Sequence, residues 1–197
     1  MAVEFECKYS ASREARAAIR EAYPGPWLEL HMESTYYDTP DGDISARKWT
    51  LRRRMENGVS ICTLKTPAGN ARNEWEVPCD DIERSVMALC DLGAPRELKT
   101  LVWKGLVPVC GARFVRLARS LKLSGGSEAE LALDEGILFA GDRQVPLGEM
   151  ELELKAGDPG AVKRTAEELA QRFGLQKQRK SKFKRAYDLR RESNGTA

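Results

Sequence analysis

The sequence predicts an α+β protein built on an eight-stranded antiparallel β-barrel with helices packed outside. Three observations lead there. About eight short segments read as strands, and most of them alternate charged and apolar residues, which is the side-chain period of a strand. Hairpin turns join most of them, the clearest being Asn57-Gly58 between residues 50–56 and 59–65; Asn-Gly between strand-like runs is the best short hairpin signal. Hairpin connection makes neighbours antiparallel, and closing such a sheet removes its edges.

The elements follow in order. Val3, Phe5 and Cys7 alternate with Glu4, Glu6 and Lys8, a first strand. A helix over about 12–23 stops at Pro24-Gly25-Pro26, a strong breaker cluster. A strand at 34–38 runs into the loop Thr39-Pro40-Asp41-Gly42, with the single histidine, His31, just before it. After the hairpin, 72–77 is a strand. Asp80 or Asp81 caps a helix to about 91, ended by Gly93 and Pro95, and a shorter helix spans 96–103. A long strand at 112–123 turns at Ser124-Gly125-Gly126-Ser127 into a strand at 128–134. A hairpin near Gly141-Asp142 leads into the strand at 148–155, where Glu149, Glu151, Glu153 and Lys155 alternate with Met150, Leu152 and Leu154. The clearest helix has Asp158 as N-cap, Pro159 at the first helical position and Gly174 past its end.

Composition narrows the function. The 197 residues suffice for one domain with a substantial core. Charged residues make up 31%, yet net charge is only +2, so the charge is mixed and local, unlike the basic excess of a nucleic-acid binder. No run is long and apolar enough to cross a bilayer, and no signal peptide is evident. Five scattered cysteines without a C-x-x-C pair suit reduced thiols in a cytoplasmic protein. One histidine excludes a multi-histidine metal site. Phosphate-binding glycine loops and the Gly-x-Ser-x-Gly elbow are absent, so phosphate would be held by side chains.

A two-residue period puts Glu4, Glu6 and Lys8 on one face, then Arg52 and Arg54, Thr63 and Lys65, Arg72, Glu74 and Glu76, Phe114 and Arg116, and Glu128, Glu130 and Asp134. On any one strand such a face is usually solvated, with cross-strand ion pairs. Six strands with the same habit, several apolar on the other face, favour a lumen lined by both charge signs and little else. Water, ions or a ligand would have to fill it. Carboxylates suit magnesium, manganese or calcium; Arg and Lys rows suit phosphate oxygens.

These residues carry a family resemblance. Glu4-x-Glu6-x-Lys8 resembles the opening signature of the CYTH domain, the triphosphate tunnel metalloenzymes. Tyr36-Tyr37-Asp38-Thr39-Pro40, Leu51-Arg52-Arg53-Arg54, Thr63-Leu64-Lys65 and Asn73-Glu74-Trp75-Glu76 follow in family order. So do Phe114-Val115-Arg116, Leu133-Asp134-Glu135-Gly136, the run from Glu149 to Lys155, and Ser181-Lys182-x-x-Arg185-x-Tyr187. The match spans about residues 1–190, with a frayed tail expected at 191–197. The resemblance implies an eight-stranded barrel open as a tunnel and hydrolysis of inorganic or organic triphosphates with Mg2+ or Mn2+. It implies metal ligands among Glu4, Glu6, Asp134, Glu149, Glu151 and Glu153, leaving open which two of the last three bind directly. Lys8, Arg52, Arg54, Lys65, Arg116 and Lys182 would grip the triphosphate. Lys8 or a glutamate would assist proton transfer, and Glu74 and Glu130 would orient waters or basic groups. Where many relatives have a basic residue two positions after Arg116, this chain has Ala118.

Within that family the N-terminus and the Glu149–Lys155 run look most like the inorganic triphosphatase branch, so inorganic triphosphate is the expected substrate. Alternatives are an organic triphosphatase, with Trp75 or Trp49 as a ring platform, an ATP-cyclising enzyme, and a non-catalytic polyphosphate-binding module. The retained acids argue against the last. Neither nucleic acid nor membrane is an expected partner. A homodimer is one way to cover an apolar barrel exterior.

Overall fold

The computed structural model describes residues 2–191, with side chains from 3 to 190. Arg191 closes the last helix; the rest of the expected tail lies outside the described residues. Ten strands form one curled antiparallel sheet: β1 (Ala2–Glu4), β2 (Glu6–Ser10), β3 (Leu28–Asp38), β4 (Thr50–Glu56), β5 (Val59–Ala68), β6 (Ala71–Pro78), β7 (Val107–Lys122), β8 (Glu128–Ala140), β9 (Arg143–Ala156) and β10 (Gln176–Lys177). The order is β1-β6-β5-β4-β3-β7-β8-β9-β2-β10.

The expected count of eight is therefore corrected to ten, for two reasons. The first expected strand changes partner at Phe5. Ahead of it β1 pairs with β6, Glu4 opposite Arg72; beyond it β2 pairs with β9, Lys8 opposite Glu151. The second addition, β10, places Lys177 opposite Tyr9. One peptide segment thus belongs to both ends of the curled sheet. Several strands also run longer than the charge pattern suggested. β3 begins at Leu28 and contains the exposed His31, which lies 3.2 Å from Glu29 and takes no part in the site.

Helices α1 (Arg13–Ala22), α3 (Ile82–Asp91), α4 (Glu97–Val102) and α5 (Pro159–Phe173) cover the convex side. Asp81, Asp158 and Gly174 cap as the sequence suggested, and Ser12 joins them: Ser12, Asp81 and Asp158 accept backbone N–H bonds in the first turn, and Gly174 ends α5 at φ 65°. Ile19 of α1 and Val162, Ala166 and Leu169 of α5 bury Tyr9, Met150 and Leu152. Val86, Leu89 and Leu98 bury Cys62, Leu64 and Trp75. A short helix missed by the sequence reading, α2 (Asp43–Ala46), is held by Asp38, which accepts from the N–H groups of Thr39, Ile44 and Ser45.

The expectation that helices lie outside fails for α6 (Lys182–Arg191). It packs into the concave side, where Ala186 clusters with Ala112, Phe114 and Leu138, and the rings of Phe183 and Tyr36 are 5.3 Å apart. Gly136 marks a close approach beside this region: a Cβ there would sit 2.2 Å from the Arg113 carbonyl oxygen and 2.5 Å from Phe114 Cα. Backbone cannot yield as a side-chain tip can. Gly136→Ala should therefore destabilise by about 1–3 kcal/mol, read as a lowered midpoint in urea unfolding. All five cysteines are free thiols. Among the described residues no helix is long and apolar enough to cross a membrane.

Candidate active site

The charged strand faces point inward. They enclose a cavity of about 330 Å³. All six basic residues picked out from the sequence, Lys8, Arg52, Arg54, Lys65, Arg116 and Lys182, line it. The wall is not wholly charged, as had been expected: Leu28, Leu30 and Met32 of β3, with Phe114 of β7, form an apolar strip.

The acids divide into two groups. Asp134, Glu149 and Glu151 present carboxylate oxygens within 4.8 Å of one another. Asp134 and Glu149 are fully buried. Adjacent pairing of β8 and β9 produces this, with Asp134 opposite Glu149 and Ala132 opposite Glu151. Three cations answer the three acids. Arg116 donates two 2.8 Å hydrogen bonds to Asp134 and another to Glu151. Lys182 Nζ lies 2.8 Å from Asp134, 2.7 Å from Glu149 and 2.6 Å from Glu151. Arg185 donates to Glu149. Burial alone would push the Glu151 carboxyl up, but Lys182 and Arg116 hold it well below the usual range. Burial likewise opposes the charge on Lys182, and Asp134, Glu151 and Glu149 outweigh it, so its pKa rises well above normal.

The second group lies near where β1 meets β2. Lys65 Nζ donates to both Glu4 oxygens at 2.6 Å and sits 3.1 Å from Glu74. Lys8 is 3.4 Å from Glu6. Burial, then the neighbouring Glu151 charge, raise the pKa of Glu6. Glu153 stands apart from the three-acid cluster, bound to Lys155 at 2.8 Å, so the structure brings Glu149 and Glu151, not Glu153, to Asp134.

Arg52 and Arg54 stand side by side on β4, their side chains 14% and 16% exposed. Each has a buried Nε without a hydrogen bond. Arg52 opposes Tyr36 in the β3–β4 register, and Arg54 opposes Ser34. The charge of Arg52, followed by burial, pulls the Arg54 pKa down to about 10. Arg52 finds partial compensation at Glu74, 3.8 Å away, and Glu76, 3.7 Å away. Two buried guanidinium groups that repel each other and keep donors free form a seat for a polyanion.

Divalent metal fits the acid cluster on its own chemistry. Its donors are all carboxylate oxygens, which suit Mg2+ or Mn2+. Glu149 Oε2 is buried and without a hydrogen bond; Lys182 lies within ion-pair reach but outside hydrogen-bond geometry.

Sequence reasoning quoted Arg185 in a motif without giving it a role. Its signal was its place three residues after Lys182, which puts both on one face of α6.

The CYTH domain profile matches residues 2–187. The chain belongs to the CYTH domain family. Among curated relatives, this CYTH chain is 31% identical over 134 residues to an inorganic triphosphatase of Haemophilus influenzae, a match covering 66% of this chain. The chain spans about 37% of that relative's length. Solved structures share the CYTH fold at lower identity. One is a putative adenylyl cyclase of Hippeastrum, described as revealing a dominant triphosphatase activity, with 21% identity, TM-score 0.63 and 96% of both chains covered. Another is the PH1819 protein of Pyrococcus horikoshii, with 22% identity, TM-score 0.61 and coverage of 95% of this chain and 99% of that one.

Proposed function

We propose that this CYTH protein is a metal-dependent triphosphatase whose preferred substrate is inorganic triphosphate. The single observation that carries the reading is the Arg52–Arg54 pair, buried in the cavity wall with two Nε donors free and a mutual repulsion that Glu56, Glu74 and Glu76 offset only in part. A linear polyanion relieves that repulsion. The family match and the inorganic triphosphatase relative support the same reading.

Arg52, Arg54, Lys65 and Arg116 bind and neutralise the phosphate chain, which would otherwise repel a nucleophile. Lys182 reaches it from α6. Mg2+ or Mn2+ would be held by Asp134, Glu149 and Glu151, with Glu4, Glu6 and Glu153 as the further acids of the cavity. Once bound, it would supply charge neutralisation at phosphoryl oxygens and acidify water. In the reaction, a water oxygen bonds to the terminal phosphorus. The bond from that phosphorus to its bridging oxygen breaks, and pyrophosphate leaves with the electron pair. The water's proton passes to the Lys8–Glu6 pair.

The test measures phosphate release from inorganic triphosphate, ATP and thiamine triphosphate in Mg2+, Mn2+ or EDTA. Fast metal-dependent cleavage of inorganic triphosphate alone is the expected result. Preference for a nucleotide would overturn the substrate assignment, and tight binding without turnover would leave a binding module. Glu4→Gln should lower metal-dependent turnover on the order of 100-fold or more. Thermal stability should stay close to wild type, since Lys65 keeps Glu74 as a partner. Full activity in that variant would remove Glu4 from the mechanism.

A further inference from the structure

A second cavity, of about 470 Å³, lies between α2 and α6. It shares Thr50, Arg72, Ser181 and Phe183 with the charged cavity, so the two adjoin. Its own lining includes Lys48, Trp49, Lys184 and Tyr187.

Lys48 is placed there at a backbone cost. After α2, the Lys48 N–H donates to the Ser45 carbonyl at 2.9 Å and the Trp49 N–H to the Ile44 carbonyl at 3.1 Å. This is a Schellman-type helix end, and its left-handed position normally belongs to glycine. Lys48 occupies it at φ 58°. Among the described residues, the only other non-glycine residue at positive φ is Asn57, a type that tolerates the region. Strain of this kind persists only where the surrounding structure holds it, and it clusters at functional sites.

The Lys48 ammonium is exposed and makes no ion pair among the described residues. Arg72, on the shared wall, donates to the Lys48 carbonyl oxygen at 3.3 Å, which fixes the turn and sets a guanidinium beside it. Lys184 adds a third positive group, although it is paired with Asp188 at 2.6 Å. The one acidic residue of the lining is Asp41.

We infer that the Lys48–Arg72 pocket is an additional anion subsite, seating the distal phosphate of a linear polyphosphate longer than triphosphate. The inference rests on the triphosphate reading of the adjoining cavity. Trp49 and Tyr187 would also suit a flat ring, but an unpaired ammonium retained against backbone strain favours an anion.

Calorimetric titrations in EDTA of inorganic triphosphate, inorganic tetraphosphate and ATP into the whole chain test it. Tetraphosphate should bind about tenfold tighter than triphosphate, the scale of one partly exposed charge-assisted contact. Lys48→Gly should erase that advantage, leave triphosphate affinity unchanged and raise the melting temperature by relaxing the turn. Lys48→Arg should keep the advantage and the wild-type melting temperature. The inference is overturned if tetraphosphate binds no tighter than triphosphate, or if its advantage survives Lys48→Gly. It is also overturned if ATP, rather than tetraphosphate, gains affinity through Lys48; the pocket then takes an organic group. If triphosphate itself does not bind, the reading of the main cavity fails first.

Discussion

Replacing Asp134 with alanine is expected to lower folding stability by about 3–5 kcal/mol, the usual cost of removing one member of a buried ion cluster. Asp134 is fully buried and accepts two hydrogen bonds from Arg116, with Lys182 at 2.8 Å. Alanine takes from Arg116 its two-point partner, leaving it Glu151, and leaves Lys182 only Glu149 and Glu151. For a chain of this size the melting temperature should fall by roughly 10 °C. Removing the carboxylate of Asp188, whose partners Lys180 and Lys184 are about half exposed, should change stability by less than about 1 kcal/mol. Urea unfolding of both variants in EDTA makes the comparison. Equal, small effects would mean that the cluster is not held together by its ion pairs.

Lys182→Met should have an opposite effect on metal and on turnover. Lys182 sits within 2.8 Å of all three clustered carboxylates and stays protonated, so it occupies the position a divalent cation would need. Three acids are then ion-paired with only Arg116 and Arg185, with Lys8 opposite Glu151. Without metal the variant should be less stable than wild type. Mn2+ affinity in the absence of substrate should rise by about tenfold or more, because like charge no longer competes. The thermal shift on adding Mn2+ should grow accordingly. Triphosphate turnover should drop on the order of 100-fold, since the same ammonium is assigned to the phosphate chain. Weaker Mn2+ binding in the variant would show that Lys182 helps to build the metal seat rather than filling it.

The alternating strands were legible because period two is a property of the backbone itself. Glu4, Glu6 and Lys8, or Arg52 and Arg54, cannot share a strand without sharing a face. The hairpin at Asn57-Gly58 and the caps at Asp81 and Asp158 were legible for equally local reasons. What sequence concealed was set by contacts far along the chain. The first strand gave no sign of changing partner at Phe5, because nothing in its composition differs on either side. The inner face of β3 carries Leu28, Leu30 and Met32, and so escaped a search for charged rows. Helix α6 is rich in basic residues, which says nothing local of an inner position, yet Phe183 and Ala186 anchor it inside the sheet. Choosing Glu149 and Glu151 over Glu153 needed the pairing of β9 with β8 and the position of Lys182, neither of which is written locally.

The strand that joins both ends of the sheet also sets the order of assembly. Residues 2–10 are synthesised before their partners in β6 and β9, which lie about 70 and 140 residues downstream. Contacts of such separation are slow to form, because loop closure must precede any gain. During synthesis β1 waits unpaired until β6 has been made, and β2 until β9 has been made. Through that interval the edges of the waiting strands stay open, when strand-to-strand association between nascent chains is easiest. Glu4, Glu6 and Lys8 put charge on those waiting strands, and charge is one of the means by which open strand edges are kept from pairing with other chains.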